Sequence, residues 1–467
     1  MSNLYILSEE RPKKSVIKQL LILAQSKINN LKSSKKIENT DNNLIIRPEF
    51  IENKFTFNYI IEGIKLEGIQ KIIIKLSKGT SSFIDFLIFM QEEEPIHNKK
   101  NNLIFAVEET KTRDSESRNT GVYQRATKFV FFEYFYPNVP IYMLYNDSNK
   151  DTDKKPSDTS IFGTNMYKNL GVDLIGKNDK WFNPFKSIDE LINFKNSMRK
   201  PPNNNTPIVI QKFLNCIKIS GRLEKPIGKG NIGHDPNIGA LALISSTIRK
   251  LGWNKEITII DHGVTQKYVD KNFRNKFLRI CAILNINLEN IDLDYQKIKS
   301  NMPYNYWKYE ESSEKVADIF LHLLCDYYDI ATIYENHAGS ERGYFITSNN
   351  ENIVLPKKDK NKNLYYIPDV IIKNDEFREL LLIEGKVYNK WKDGVKELYN
   401  YDNLEEDYIF KYYKDYNITR WVTLYSSTSK NDLPHEKVLL VLNNKGEINL
   451  NKEAPKWLNL IIRNIKR

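Results

Sequence analysis

Twice in this chain an apolar, strand-like run ends directly on charged residues, and few folds accommodate that arrangement. In one passage Tyr365-Tyr366-Ile367-Pro368-Asp369-Val370-Ile371-Ile372 leads through a polar turn at 373–376 into Leu380-Leu381-Leu382-Ile383-Glu384-Gly385-Lys386. Side chains alternate across a strand, so Glu384 and Lys386 share a face while Gly385 points away from it. Paired as a hairpin, the two runs bring Asp369 to the face of Glu384 and Lys386. Charge placed straight after Leu381-Leu382-Ile383 is costly to bury unless something compensates it. The other passage repeats the order of parts. Phe83-Ile84-Asp85-Phe86-Leu87-Ile88-Phe89 reads as a strand with one embedded carboxylate, a charged loop runs to Asn102, and Leu103-Ile104-Phe105-Ala106-Val107-Glu108-Glu109-Thr110-Lys111 follows. Here Asp85, Glu109 and Lys111 are expected to converge. Glu108 also borders the strand, and Glu109 is preferred because it shares a face with Lys111. The intervals from Asp to Glu differ and the flanks do not align, so the passages belong to two different domains of similar chemistry.

Two carboxylates and an ammonium gathered at the end of a buried sheet hold a divalent cation and orient a water for attack on a phosphodiester. The plainer account of a lone Glu-x-Lys is a solvated ion pair. The balance of charge bears on the choice. With a formal charge of +11 and a pI near 9.1, the chain suits a polyanionic partner, because Lys and Arg release counterions from nucleic acid. Charge alone does not separate DNA from RNA or an acidic membrane. A length of 467 residues exceeds one ordinary core, so two or three domains are expected. No apolar run reaches a membrane-spanning length, and the first residues lack the apolar core of a signal peptide. Cys216, Cys281 and Cys325 are far apart, show no zinc spacing, and read as buried thiols in a reducing cytoplasm.

The rest of the chain supplies context. Residues 15–32 carry helical periodicity, 33–43 form a polar linker, and 55–76 make either a helix or a pair of strands. After the Asp85 passage, 121–136 reads as an amphipathic helix with Gln124, Arg125 and Lys128, followed by a buried strand at 139–145. Gln124 and Arg125 either form a solvated face or stand near the scissile phosphate. Strand, helix, strand is an α/β arrangement. Gly228-Lys229-Gly230-Asn231-Ile232-Gly233 is formally a GxGxxG, but Pro226 interrupts its approach, so a basic loop touching DNA phosphates through its amides is the better reading. A helix starts near His234-Asp235-Pro236, with Asp235 as its cap. Asp261-His262 closes a strand and is a minor candidate for metal. Residues 266–285 form a basic helix, either solvated or facing DNA, and 301–309 is rich in aromatics, suited to packing or to base stacking. The amphipathic helix 314–328 precedes the Asp369 passage; Glu314 is either a third carboxylate or a first-turn residue favoured by the helix dipole.

The two passages resemble the PD-(D/E)xK nuclease superfamily. Pro368-Asp369 with Glu384-Gly385-Lys386 matches its motif fully; Asp85 with Glu109-Thr110-Lys111 matches it without the leading proline, Ile84 taking that place. The first domain looks like the EcoRI-type branch, and the second is similar to the cleavage domains of FokI-type enzymes. A chain with two different sites resembles type II restriction endonucleases, BsmI-like ones among them, that cut an asymmetric sequence with one site per strand.

The resemblance implies an α/β fold with two restriction-endonuclease-like domains, each a mixed central sheet flanked by helices. The two motifs put 1–200 in the first nuclease domain and 306–467 in the second, while 201–305, basic and without a catalytic set of its own, is left to DNA recognition and connection. The resemblance also implies Mg2+-dependent hydrolysis of double-stranded DNA. Asp85 and Glu109, and likewise Asp369 and Glu384, would ligate the metal, while Lys111 and Lys386 position the attacking water and stabilise charge on the phosphorane. A cognate DNA methyltransferase, a bacterial cytoplasmic location away from membranes, and a monomer or transient dimer belong to the same expectation. The alternatives are a repair or mobile-element nuclease with one decayed site, and a DNA-binding regulator without catalysis.

Overall fold

The computed structural model describes residues 2–29, 44–80, 82–110, 121–145, 155–176, 179–198, 207–225, 228–233, 235–310, 313–336, 343–356, 358 and 364–466. It is a mixed α/β structure that divides into two compact units, one of residues 1–78, 90–94 and 309–467, the other of 79–89 and 95–308. The N-terminal 78 residues thus belong with the C-terminal third. The stretch 201–305 shares a unit with the Asp85 passage instead of standing apart.

In the unit that contains the C-terminal passage, six strands lie in the order Ala331–Glu335, Val370–Asn374, Glu379–Val387, Asn417–Ser426, Val438–Asn443, Ile448–Leu450. Val370–Asn374 is antiparallel to both of its neighbours, and Glu379–Val387 runs parallel to Asn417–Ser426. A strand flanked on both edges and covered on both faces needs apolar residues throughout, which explains the unbroken Leu380-Leu381-Leu382-Ile383, all fully buried. The helix Lys315–Tyr327 covers one face of this sheet. Its apolar stripe is buried from Val316 to Cys325, with Asp318 and His322 embedded in it. The helix Trp391–Leu398 and the helical segment 402–413 that follows it cover the other face. Residues 55–76 resolve into strands, Lys54–Glu62 and Ile69–Gly79. From this second sheet Phe50 packs edge-on, and Phe55 tilted, against Phe320 of the covering helix.

The other unit has Phe86–Gln91 antiparallel to Leu103–Thr110, which is parallel to Ile141–Tyr145, itself parallel to Val172–Ile175. The helix Ala126–Phe135 makes the crossover between the two central strands, and Phe129, Val130, Phe131 and Phe132 bury on it. The expected helix is interrupted at Arg125, with Gly121–Gln124 as a separate turn. A smaller sheet within the unit places Cys216–Ser220 parallel to Glu256–Ile260, with the helix Asp235–Lys250 crossing between them and packing on Ala126–Phe135. Cys281 and Cys325 are buried, Cys216 is half-buried, and all three thiols are free. Among the described residues no helix is long and apolar enough to cross a membrane.

Candidate active sites

The C-terminal passage folds as the alternation predicts. Val370 pairs with Ile383, which sets Asp369 opposite Glu384 at the end of the hairpin. The Asp369 amide donates to Ile383 O (3.0 Å), and Asp369 Oδ2 accepts from the Gly385 amide (3.0 Å). Glu384 is 5% exposed, and its two oxygens are held separately, Oε1 by Lys386 and Oε2 by the Tyr401 hydroxyl. Lys386 also reaches Glu397 at 3.1 Å. All three expected residues therefore meet here.

Two glycines make room for the cluster. Gly385 points to the opposite face from Glu384, toward the helix Lys315–Tyr327, and a Cβ there would overlap the Asp318 carboxylate. Gly394, on the other covering helix, would carry a Cβ only 2.9 Å from Lys386 Cγ. Asp318, which sequence reasoning missed, is almost fully buried and accepts from the Thr423 hydroxyl. Its signal was a lone acid within a helical stripe that is apolar apart from His322. Glu314 stands exposed at the helix start, without a side-chain capping bond, and its charge acts on both Asp318 and Asp369.

Negative charge is in excess here. Burial, then the charge of Asp369, push the Glu384 carboxyl up to about 8. Burial likewise raises Asp369 to about 6, against the pull of the Gly385 amide and of Lys386. Asp318 is driven well upward by burial and by Asp369. For Lys386, burial opposes the charge, but Glu384, Glu397 and Asp369 outweigh it and raise its pKa.

The N-terminal passage has the same frame. Phe86 pairs with Val107, so Asp85 stands opposite Glu108. Asp85 Oδ2 accepts from the Glu109 amide (2.9 Å), just as Asp369 does from Gly385. By this register Glu108 takes the place of Glu384, Glu109 that of Gly385, and Thr110 that of Lys386. Glu109 thus meets Asp85 through its backbone, and alternation turns its side chain to the face opposite Glu108. Lys111 lies outside the described residues. The carboxylate that faces Asp85 is Glu108, 1% exposed, whose oxygen also accepts from the Asp85 amide at 3.3 Å. Its signal was present in the sequence: Glu108 is the first charge after the apolar run, as Glu384 is after Ile383.

Cations reach this site from the following helical segment. Lys128 Nζ lies 2.7 Å from Asp85 Oδ1 and 2.8 Å from the Glu108 carboxylate, and Arg125 Nε lies 3.4 Å from Glu108. Gln124, by contrast, is exposed. Burial and the charge of Asp85 push the Glu108 carboxyl up to about 8, against the pull of Lys128 and Arg125. The approach to Asp85 is braced by Tyr306, 2% exposed, whose hydroxyl accepts from the Ile84 amide (2.9 Å) and donates to Ser82 O (3.1 Å). Trp307 is buried beside it, whereas Tyr304 is fully exposed.

The minor candidates resolve differently. The amides of Gly228, Gly230 and Gly233 all donate within their own loop, to Lys225 O, Glu224 Oε1 and Leu223 O, so none of the three faces a phosphate. His262 is buried; its Nδ1 accepts from the Val264 amide, which leaves Nε2 to donate to Glu289 O, a loop brace separate from the exposed Asp261. His234 lies outside the described residues. The basic stretch forms two helices, Gln266–Val269 and Lys276–Leu284, with Lys267, Lys271, Arg274 and Lys276 exposed.

A magnesium ion keeps several waters and takes one or two carboxylates together with substrate oxygens. Asp369 with Glu384, and Asp85 with Glu108, supply hard oxygen donors in pairs, and burial chiefly raises the carboxyls of Asp369, Glu384 and Glu108, so each lacks the water that would otherwise offset its charge. The donor chemistry therefore fits such an ion. Among the described residues no three His, Cys, Asp or Glu side chains converge on one point. No protein-family model, curated protein or solved structure matches this chain.

Proposed function

We propose that this protein is a Mg2+-dependent endonuclease of the restriction type, built on two PD-(D/E)xK domains that each cut one strand of double-stranded DNA at a specific, asymmetric sequence. The observation that carries this reading is the recurrence of one frame in two separate units: an Asp opposite a buried Glu, with the next amide clamped on the Asp. Chance does not readily produce the same register and the same amide bond twice at charge clusters buried at strand ends.

Bound at such a pair, the metal supplies charge compensation and a water of lowered pKa. The chain's own groups do the rest. Asp369 is locked by the Gly385 amide and Glu384 by Tyr401, so neither carboxylate needs to reorganise far during the reaction. The Lys386 ammonium, stabilised in its charged form by Glu384 and Glu397, is suited to orient the attacking water and to meet charge developing on the phosphate. The exposed cations at 267–276 are suited to phosphate contacts. A cognate DNA methyltransferase and a bacterial cytoplasm follow from a restriction role.

Digestion of a fully sequenced phage DNA, with Mg2+ against EDTA, tests this reading by mapping fragment ends. Asp369→Ala removes a carboxylate needed in the transition state, so cleavage at that site falls roughly a thousandfold or more. The variant is expected to nick one strand and to keep sequence-specific binding; full linearisation of plasmid by it rejects the two-site division of labour. One observation favours a second reading, a nicking nuclease with a decayed N-terminal site: Thr110 occupies the strand position of Lys386. In that case Asp85→Ala leaves the activity of the wild type unchanged.

A further inference from the structure

We propose that Lys128, on the helix Ala126–Phe135, is the catalytic ammonium of the N-terminal site, taking from the helix the role that Lys386 takes from the strand, with Glu108 as the carboxylate it serves. The inference rests on the nuclease reading and removes the apparent deficit at Thr110.

Placement is the first argument. With Asp85 opposite Glu108, the strand offers an uncharged Thr110 at the position that Lys386 fills in the other unit. Lys128 Nζ comes instead from above the hairpin, within 2.8 Å of both carboxylates. Surroundings are the second. Lys128 sits in Ala-Thr-Lys-Phe-Val-Phe-Phe, where its neighbours from Ala126 to Phe132 are buried. An ammonium in such a setting is costly unless it is paired, and the described partners of its Nζ are the two site carboxylates. A lysine kept only to fasten the helix could use any acid along the sheet; this one bridges the Asp and the Glu that define the site.

Geometry also fixes how the residue must behave. An ammonium lying across both carboxylates competes with a divalent cation for the same oxygens. Neutralising it therefore strengthens metal binding while weakening cleavage. A purely structural lysine does not produce that opposition of signs.

The test uses the full-length, metal-free protein. Mn2+ binding is followed by calorimetry, with Glu108→Gln identifying the class of sites that belongs to the N-terminal unit. Lys128→Gln is expected to raise the affinity of that class roughly tenfold, the scale of removing one unit charge about 5 Å from a dication in a water-like dielectric. On a DNA fragment with a mapped site, the same variant should nick only the strand left to the C-terminal site, and Lys128→Arg should recover part of the lost cleavage. Unchanged or weaker Mn2+ binding in Lys128→Gln, or cutting of both strands at the wild-type rate, overturns the assignment. A second measurement needs no variant: acetic anhydride labelling of wild-type Lys128, read by peptide mass mapping, should rise when Ca2+ is added, and labelling insensitive to Ca2+ overturns it. If the wild type cuts no DNA at all, the nuclease reading fails, and the Mn2+ and labelling results alone decide whether Lys128 competes for the site.

Discussion

At the scale of single residues, burial and charge together decide the behaviour of both sites. The carboxyls of Glu384 and Glu108 are each held near 8 and that of Asp369 near 6, whereas in an unfolded chain such groups titrate near 4. Between those limits the folded protein binds more protons than the unfolded one, so its stability falls as pH rises from about 4 to about 8. The Tm of metal-free protein should therefore decline across that window, less steeply in Glu384→Gln. Mg2+ should raise Tm more at the alkaline end, where the carboxylates are ionised. A Tm that climbs over the same range contradicts the charge excess. Gly385 makes a second residue-level case. An added methyl group must displace the Asp318 carboxylate, so Gly385→Ala is expected to cost roughly 1–3 kcal/mol in urea unfolding. Removing Asp318 as well should recover part of that loss. A double-mutant cycle with zero coupling would show that the two residues do not share the space.

Elements, more than residues, explain how two unlike sequences arrive at one frame. Each site is an antiparallel hairpin whose second strand runs parallel to the next, with the Asp just outside the last pair of the hairpin. The supports differ. Pro368 is buried ahead of Asp369, and Gly385 admits a helix against the strand from behind. Asp85 lacks that proline and is steadied by Tyr306, which closes the backbone of Ser82 and Ile84. Tyr306→Phe leaves a buried Ile84 amide without its acceptor, a loss of roughly 1–3 kcal/mol. Cleavage should fall for the strand served by the N-terminal site and persist for the other. Equal loss on both strands would mean that the brace serves general stability alone. The aromatic stretch at 301–309 thus splits, with Tyr306 and Trp307 given to packing and Tyr304 left exposed.

For the whole molecule, the formal charge of +11 must appear in its equilibria if DNA is the partner. Affinity for a duplex should drop steeply with salt, log K falling linearly with log salt by roughly 0.9 per phosphate contacted. Fluorescence anisotropy at several salt concentrations measures that slope. Replacing Lys267, Lys271 and Lys276 with Gln should lower it by about 3 if all three meet phosphates; an unchanged slope removes that surface from the interface.

Composition and spacing by themselves determined the mixed α/β character, the two hairpins with charge at their ends, the Asp369, Glu384 and Lys386 trio, and the basic balance, because these follow from strand alternation and the cost of burying charge. They did not decide between Glu108 and Glu109: a local rule of shared faces favours whichever Glu pairs with Lys111, while hydrogen-bonded register with a strand some twenty residues away selects Glu108. Asp318 and Lys128 stand out along their helices in the sequence, but what each one meets was decided by tertiary structure alone, since each reaches its site from a helix packed over the sheet. Periodicity reports which side of a helix is apolar; only packing reports what a polar residue on that side meets.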